Sequence, residues 1–484
     1  REGKPLTRGA TTEHTLLNAG FNLLGTSLAA QEYWDNHRAL DYLLTRKDID
    51  PEHIGVYGSS GGGTQTAYYI GLDPRVKVAA ICSFFSTRER TMELQGPSDG
   101  CQHIPYEGRE QLEVPDFALM MAPRPLLILS GKYDFVDLWG AQQGFAELQQ
   151  CYKVLGVPEK VDMLTVETGH GLGAEKRQKL ASWFKRWLKD NQSPVKKAAQ
   201  DRFQLSDMLC TTKGQVNVSM PGALSIMQEN VNQLDEWASK RETFLSKGKK
   251  TVQTKMLDLL GLKGLPDHKI RIEATGHDSM REYEQYKFQL IREGEMPVPC
   301  ILIMPSRANA DSPIELRLQE EGKGTYLSEY ANFAAALTEG KILLLADLRG
   351  LGETTDPAFY TDAKYWNREY RNAMISMHIG RPIMGQRVVD ILTLLDFCSE
   401  HELLKGHPVK VFANGIYGPA VIHAAYLDER INSVEITHSV KTWKEYIEKP
   451  MQWDMYSNVL YGALKYYDLP DLIRLSNRPI RFAD

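Results

Sequence analysis

The sequence predicts an α/β fold, a mostly parallel sheet with helices on both faces, laid down twice in tandem. Three observations predict it. Short apolar runs alternate with amphipathic segments along most of the chain, the pattern of strands connected by crossover helices. Two long stretches match each other at a constant offset of 355 residues. A serine framed by glycines, Ser60, lies between a strand-like run and a helix-like one.

The elements follow in chain order. Residues 34–44 read as an amphipathic helix, 53–57 as a short strand and 62–70 as a helix. Residues 78–83 read as a strand. Residues 126–130 form an apolar run typical of a strand buried on both faces. Residues 163–166 are another strand. Residues 176–190 close the unit as a helix with Leu180, Trp183, Phe184 and Leu188 on one face. Residues 193–222 are polar and irregular and read as a linker, with a short strand expected at 215–219. Residues 223–260 are helical by pattern. Strands are then expected at 269–274, 285–292, 299–304, 314–318, 342–346 and 409–412.

The repeat sets the domain organisation. Gln31 pairs with Gln386, Asp35 with Asp390, and Leu40-Asp41-Tyr42 with Leu395-Asp396-Phe397. Leu72-Asp73, Arg75 and Val76 pair with Leu427-Asp428, Arg430 and Ile431. Pro115-Asp116 pairs with Pro470-Asp471, and Arg124-Pro125 with Arg478-Pro479 after a slip of one residue. Register held over about 90 residues marks a true repeat. Residues 1–192 are therefore expected to be the C-terminal half of a catalytic domain, and 223–484 a second, degenerate domain. The leader at about 225–380 has no counterpart ahead of residue 1, and copy two stops opposite about Ser130. Missing material at both ends is the expectation.

Composition narrows the function. The 484 residues are 42% hydrophobic and 25% charged, with a net charge of −5, as in a globular protein. The densest basic cluster, Lys247, Lys249 and Lys250, reads as a solvated helix end, so no nucleic-acid partner is expected. No apolar run reaches the length of a membrane span, and no membrane partner is expected. The opening Arg1-Glu2-Gly3-Lys4 does not read as a signal peptide. The six cysteines are scattered without metal-ligand spacing. No metal and no organic cofactor are expected; the sequence leaves the oligomeric state open.

The chemistry centres on Gly58-Ser59-Ser60-Gly61-Gly62, a G-x-S-x-G turn. A serine on a tight strand-to-helix turn is forced into unusual backbone angles and held out as a nucleophile. Gly58 and Gly62 are expected to let strand and helix pass closely. The helix N-terminus favours developing negative charge, and the Gly61 N–H is the expected oxyanion donor. A phosphate loop would want a lysine before the hydroxyl residue, and Gly63 precedes Thr64 instead.

Serine needs a base, and the base needs a carboxylate to fix its tautomer. In chain order the serine, the acid and the histidine follow one another. Asp134 comes just past the strand at 126–130 and is the chosen acid, with Asp137 the runner-up. His170, flanked by Gly169 and Gly171, comes just past the strand at 163–166 and is the chosen base. His103 reads as a plain loop histidine before a pocket residue. Tyr133 and Trp139 lie near the acid and could stack on a sugar ring, with core packing the equal alternative.

Copy two differs at the decisive position. The offset sets Gly415 opposite Ser60, so no hydroxyl is there to attack. The run Asp347-Leu348-Arg349-Gly350-Leu351-Gly352-Glu353-Thr354 after an apolar strand reads as a tight structural loop before a binding site.

These motifs resemble the acetyl xylan esterase-like branch of the α/β-hydrolases. The resemblance rests on Gly58-Ser59-Ser60-Gly61-Gly62 after His53-Ile54-Gly55, on Ala122-Pro123-Arg124-Pro125-Leu126-Leu127 before the acid, and on Gly169-His170-Gly171. It covers residues 20–190 well and 265–484 at the level of fold. It implies hydrolysis of carboxylic esters, acetyl or methyl groups on polysaccharides, by an extracellular or periplasmic protein. The second oxyanion donor would come from a loop absent from copy one. Two alternatives stand beside it: a prolyl-oligopeptidase-like serine peptidase, although no propeller-like run of short strands appears, and a non-catalytic glycan-binding or scaffold module.

Overall fold

The strands that sequence marks as most apolar lie at the centre of a sheet. In the computed structural model, β2 (Val78–Cys82) and β3 (Leu126–Gly131) are buried at every residue. They are flanked by β1 (Gly55–Ser59) and β4 (Val161–Val166) in the order β1-β2-β3-β4, all parallel. The structure describes residues 7, 9–195, 203–212, 214–357 and 364–483. It divides into two units, residues 1–18 with 27–229, and residues 19–26 with 230–484.

Alternation along the first sheet sends side chains to two layers. Val78, Ala80, Leu127 and Leu129 meet Leu180 and Trp183 of α7 (Ala174–Lys189). Ala79, Ile81, Leu126 and Ile128 meet the opposite layer. That layer holds α3 (Gly61–Ile70) and α6 (Leu138–Val154), through Ala67, Ile70, Leu148 and Tyr152. Each face is closed by helices, which is why both central strands read as continuous apolar runs.

The remaining helices of this region are α1 (Ala10–Leu23), whose residues from 19 on are counted with the second unit, α2 (Leu28–Leu44), α4 (Arg88–Gln95) and α5 (Val114–Leu119). The helix expected at 34–44 starts earlier, because Ser27 caps it by accepting the Ala30 N–H at 3.2 Å. The short strand expected at 215–219 is wrong. After α8 (Leu205–Met208), that segment is a single helical turn, α9 (Val216–Ser219). Val216 and Val218 gave it a strand-like pattern, but among the described residues no strand pairs with it. The opening Arg1-Glu2-Gly3-Lys4 and part of the linker (196–202, 213) lie outside the described residues.

In the second unit, α10 (Ile226–Leu245) and α11 (Lys249–Leu259) precede an eight-stranded sheet. Its strands are β5 (Arg271–Ser279), β6 (Tyr283–Ile291), β7 (Val298–Pro305), β8 (Ile314–Leu318), β9 (Ile342–Ala346), β10 (Val409–Asn414), β11 (Ile431–Thr437) and β12 (Ile480–Phe482). The order is β12-β11-β10-β8-β9-β7-β6-β5. The β5–β6, β6–β7 and β7–β9 pairs are antiparallel and the rest parallel. The strand expected at 269–274 is longer and carries an irregularity between Ala274 and Gly276. Helices α12 (Lys323–Leu327), α13 (Ala331–Thr338), α14 (Tyr370–His378), α15 (Ile383–Glu400) and α16 (Gly418–Leu427) complete the description needed here.

The paired positions of the repeat make paired bonds. Arg75 bridges Asp41 and Asp73 at 2.6 Å each. Arg430 bridges Asp396 and Asp428 at 2.7 and 2.6 Å. In both clusters the arginine's own N–H donates to the second aspartate, at 3.0 and 2.9 Å. Burial raises the Asp73 carboxyl, but hydrogen bonds from Arg75 and Tyr69 outweigh it and hold the group well below the usual range.

Candidate active site

Ser60 stands alone between the end of β1 and the start of α3, with φ 59° and ψ −123°. A non-glycine residue at positive φ costs on the order of 1–3 kcal/mol and persists only where its surroundings fix it. Here the Ser60 N–H donates to Cys82 O at 3.0 Å, and Ser60 O accepts the Thr64 N–H at 3.0 Å. A Cβ at Gly58 would run into the Gly62 carbonyl. A Cβ at Gly63 would lie 2.8 Å from Cys82 O. The expectation for Gly62 is corrected, since a Cβ there meets nothing within 4 Å; Gly58 and Gly63 allow the close passage. Gly61 also faces open space, and its N–H has no acceptor among the described residues.

Asp134 and His170 come from the loops after β3 and β4. Those loops are stitched together by Lys132 N–H to Val166 O at 2.8 Å and Tyr133 N–H to Thr168 O at 3.1 Å. Gly131 permits it, because a Cβ there would lie 2.6 Å from Thr168 O. His170 Nδ1 lies 2.8 Å from Asp134 Oδ1. With the carboxylate accepting at Nδ1–H, Nε2 is left with its lone pair free to take a proton. The Asp134 side chain is 1% exposed. Burial raises its carboxyl, but hydrogen bonds from His170, the Val136 N–H and Ser83 outweigh this and hold it below the ordinary value. Phe135 stacks on the His170 ring at 4.2 Å.

Two residues that sequence reasoning missed support this loop. Ser83, buried with φ 49°, accepts the Gly171 N–H at 3.1 Å. The buried Lys176 donates to Ser83 Oγ at 3.2 Å and to Gly171 O at 3.0 Å. It forms no ion pair with a carboxylate among the described residues. The Ser60 turn thus hangs from Cys82, and the His170 loop from Ser83, the next residue. Among the described residues no hydrogen bond joins Ser60 Oγ to His170; such bonds commonly tighten only when substrate binds.

The other candidates separate. Asp137 caps α6 by accepting the Gly140 N–H at 2.7 Å and faces Arg90 at 3.3 Å, away from His170. His103 is buried. Tyr133 and Trp139 are exposed, so core packing does not describe them. The Arg90 guanidinium lies 5.1 Å over the Trp139 ring.

In the second unit, Gly415 follows β10 with φ 63°. The next N–H, of Ile416, donates to Glu320 Oε2 at 3.0 Å. Asp347 accepts from the Lys323 backbone and ammonium at 2.7 Å each and from the Glu353 N–H at 2.9 Å, which folds its loop tightly.

Residues 24–191 match the model of the prolyl oligopeptidase family. The fold of this stretch is that of the α/β-hydrolase superfamily. It is related to esterase and peptidase families generally, and hydrolase activity is consistent with it. The chain is 26% identical over 168 residues to YtaP of Bacillus subtilis (strain 168), a protein provisionally named a hydrolase. That match takes in 34% of this chain and 56% of YtaP, so the chain spans little more than half of that relative's length. Solved structures with similarity include the methylesterase BT1017, at 26% identity over 38% of this chain and 43% of that one, with a TM-score of 0.27. Another, from Bacteroides fragilis NCTC 9343, is provisionally described as an acetyl xylan esterase. It is 13% identical over 49% of this chain and 67% of that one, with a TM-score of 0.39. Among the described residues no helix is long and apolar enough to cross a membrane.

Proposed function

We propose that the first unit is a serine acyl hydrolase. Ser60 Oγ attacks the substrate carbonyl while His170 Nε2 takes its proton. Asp134 orients His170 and stabilises the imidazolium. The Gly61 N–H, at the positive end of α3, receives the developing oxyanion. Collapse of the tetrahedral adduct expels the leaving group, to which His170 returns the proton. Water then attacks the acyl-enzyme by the same route in reverse. The observation that carries this reading is the pair of adjacent anchors, Cys82 holding the Ser60 turn and Ser83 holding the loop of His170.

The family match gives the peptidase alternative more support than the ester reading. On it, the substrate is a peptide cut beside proline. The ester reading rests on the motif resemblance around Ala122-Pro123-Arg124-Pro125 and Gly169-His170-Gly171, and with it comes the expected extracellular or periplasmic location. The same site serves both, because amides and esters pass through the same acyl-enzyme. The second unit is read as a degenerate copy of the fold, a reading supported by its matching arginine–aspartate cluster and its Gly415 turn.

A fluorophosphonate probe followed by peptide mass spectrometry tests the nucleophile. Label on Ser60 that disappears in His170→Ala is the expected result; a folded protein left unlabelled at Ser60 sinks the proposal. Parallel assays with a peptidyl-proline nitroanilide and with an acetylated xylan then choose between peptide and ester.

A further inference from the structure

We infer that the first unit holds a divalent transition-metal site, apart from the Ser60 turn, made by His14, Glu32 and Cys101. The three residues come from three elements and carry no sequence spacing that would betray them. His14 lies on α1, Glu32 on α2, and Cys101 in the short helical turn Gly100–Gln102. His14 Nδ1 lies 3.3 Å from Cys101 Sγ and 3.6 Å from Glu32 Oε1. All three donor atoms lie within 4.8 Å of one another. Zinc held tetrahedrally at its usual bond lengths sets neighbouring N, S and O donors about 3.3–3.7 Å apart. Two of the three pairs here already have that spacing.

The arrangement is built rather than incidental. Next to His14, Thr15 Oγ1 accepts the Gly100 N–H at 2.9 Å in a buried bond, which fixes α1 against the turn that carries Cys101. Cys101 is buried and has no disulfide partner. The Glu32 side chain is 16% exposed, takes a hydrogen bond from Gln65, and has no lysine or arginine paired with it among the described residues. A cation between the carboxylate and the sulfur would neutralise their charge. One imidazole, one thiolate and one carboxylate suit a borderline-soft ion, zinc foremost, with a fourth position left for water. Binding exchanges the Cys101 thiol proton for the metal, and that proton goes to solvent.

Cobalt(II) is the probe, because thiolate ligation gives a near-ultraviolet charge-transfer band. Titration of the whole chain is expected to raise that band to a one-to-one endpoint. Cys101→Ser removes the band, Cys210→Ser leaves it intact, and His14→Ala or Glu32→Gln weakens cobalt binding by at least ~10-fold. Circular dichroism checks that each variant is folded. The inference is overturned if no band forms, if the band survives Cys101→Ser, or if it needs Cys101 but neither His14 nor Glu32. That last pattern would mean a lone hydrogen-bonded thiol picking up metal. None of these outcomes depends on whether Ser60 is reactive.

Discussion

Two turns with nearly the same φ at their first residue occur in the two units, and among the described residues only one of them has an open N–H. Ser60 has φ 59° and Gly415, at the same place in the repeat, has φ 63°. The next strand ends alike as well, with Ser83 at φ 49° and His438 at φ 52°. Among the described residues the N–H one residue past Ser60 has no acceptor, whereas the N–H one residue past Gly415 is taken by the Glu320 carboxylate. A helix N-terminus attracts an anion. In the second unit Glu320 is that anion, and in the first the place is the one that the proposed mechanism gives to the oxyanion. The positive-φ turn is therefore common to both strand–turn–helix segments, with strain at Ser60 and none at Gly415. Reactivity needs two further things, a hydroxyl and an uncommitted donor.

The largest effect expected on this contrast is at Ser60 itself. Ser60→Ala makes the first turn chemically like the second, and hydrolysis should fall by ~10⁶-fold in kcat. Steady-state assays on whichever substrate the protein accepts measure this, and a variant within tenfold of the parent would end the comparison.

Asp134→Asn comes next, with a loss of ~10⁴-fold, because the wrong tautomer of His170 would face Ser60. The same variant has a signature in stability. The Asp134 carboxyl is held below its ordinary value in the folded state. Its contribution is therefore complete above the unfolded value of ~3.9 and is lost as pH falls through the lower folded value. Thermal unfolding followed down through that range should show less acid loss in Asp134→Asn than in the parent.

Lys176→Met removes the tether between Ser83 and Gly171. A loosened His170 should cost ~10–10²-fold in kcat with KM little changed. A drop in urea midpoint with kcat intact would instead make Lys176 a purely structural residue.

The smallest effect lies in the closed turn. Glu320→Ala leaves the Ile416 N–H without its acceptor and should destabilise the second unit by ~1 kcal/mol, with hydrolysis unchanged. Chemical denaturation followed by tryptophan fluorescence measures it. Gly415→Ser should not restore labelling, since a Cβ there would run into the Glu320 carboxylate.

How much of this was legible in the sequence follows from how local each signal is. The strand, the glycine-framed serine and the helix are contiguous, so Ser60 and its turn could be read directly. Asp134 and His170 could be read from their places just after apolar strands, and the structure brings these two together. Ser83 and Lys176 could not be read, because they meet across 93 positions and neither belongs to a local pattern. Glu320 reaches Ile416 across 96. The glycine that opens the Ser60 turn was misplaced by one residue, since spacing alone does not say which Cβ would touch the neighbouring strand. The turn at 216–219 was misread for a related reason, because β-branched residues make a strand only where another strand is at hand to pair.

Among the described residues β1 has a neighbouring strand on one side only, and none of its residues is fully buried. Among the described residues the strand that leads into the Ser60 turn is thus, with β4, one of the two edges of its sheet. Hydrogen–deuterium exchange should find its outward amides opening at a small fraction of the free energy needed to expose β2 and β3. A covalent acyl group on Ser60 that gains contacts in the closed state would slow that opening. Occupancy of the site could then be read as backbone protection, with no turnover at all.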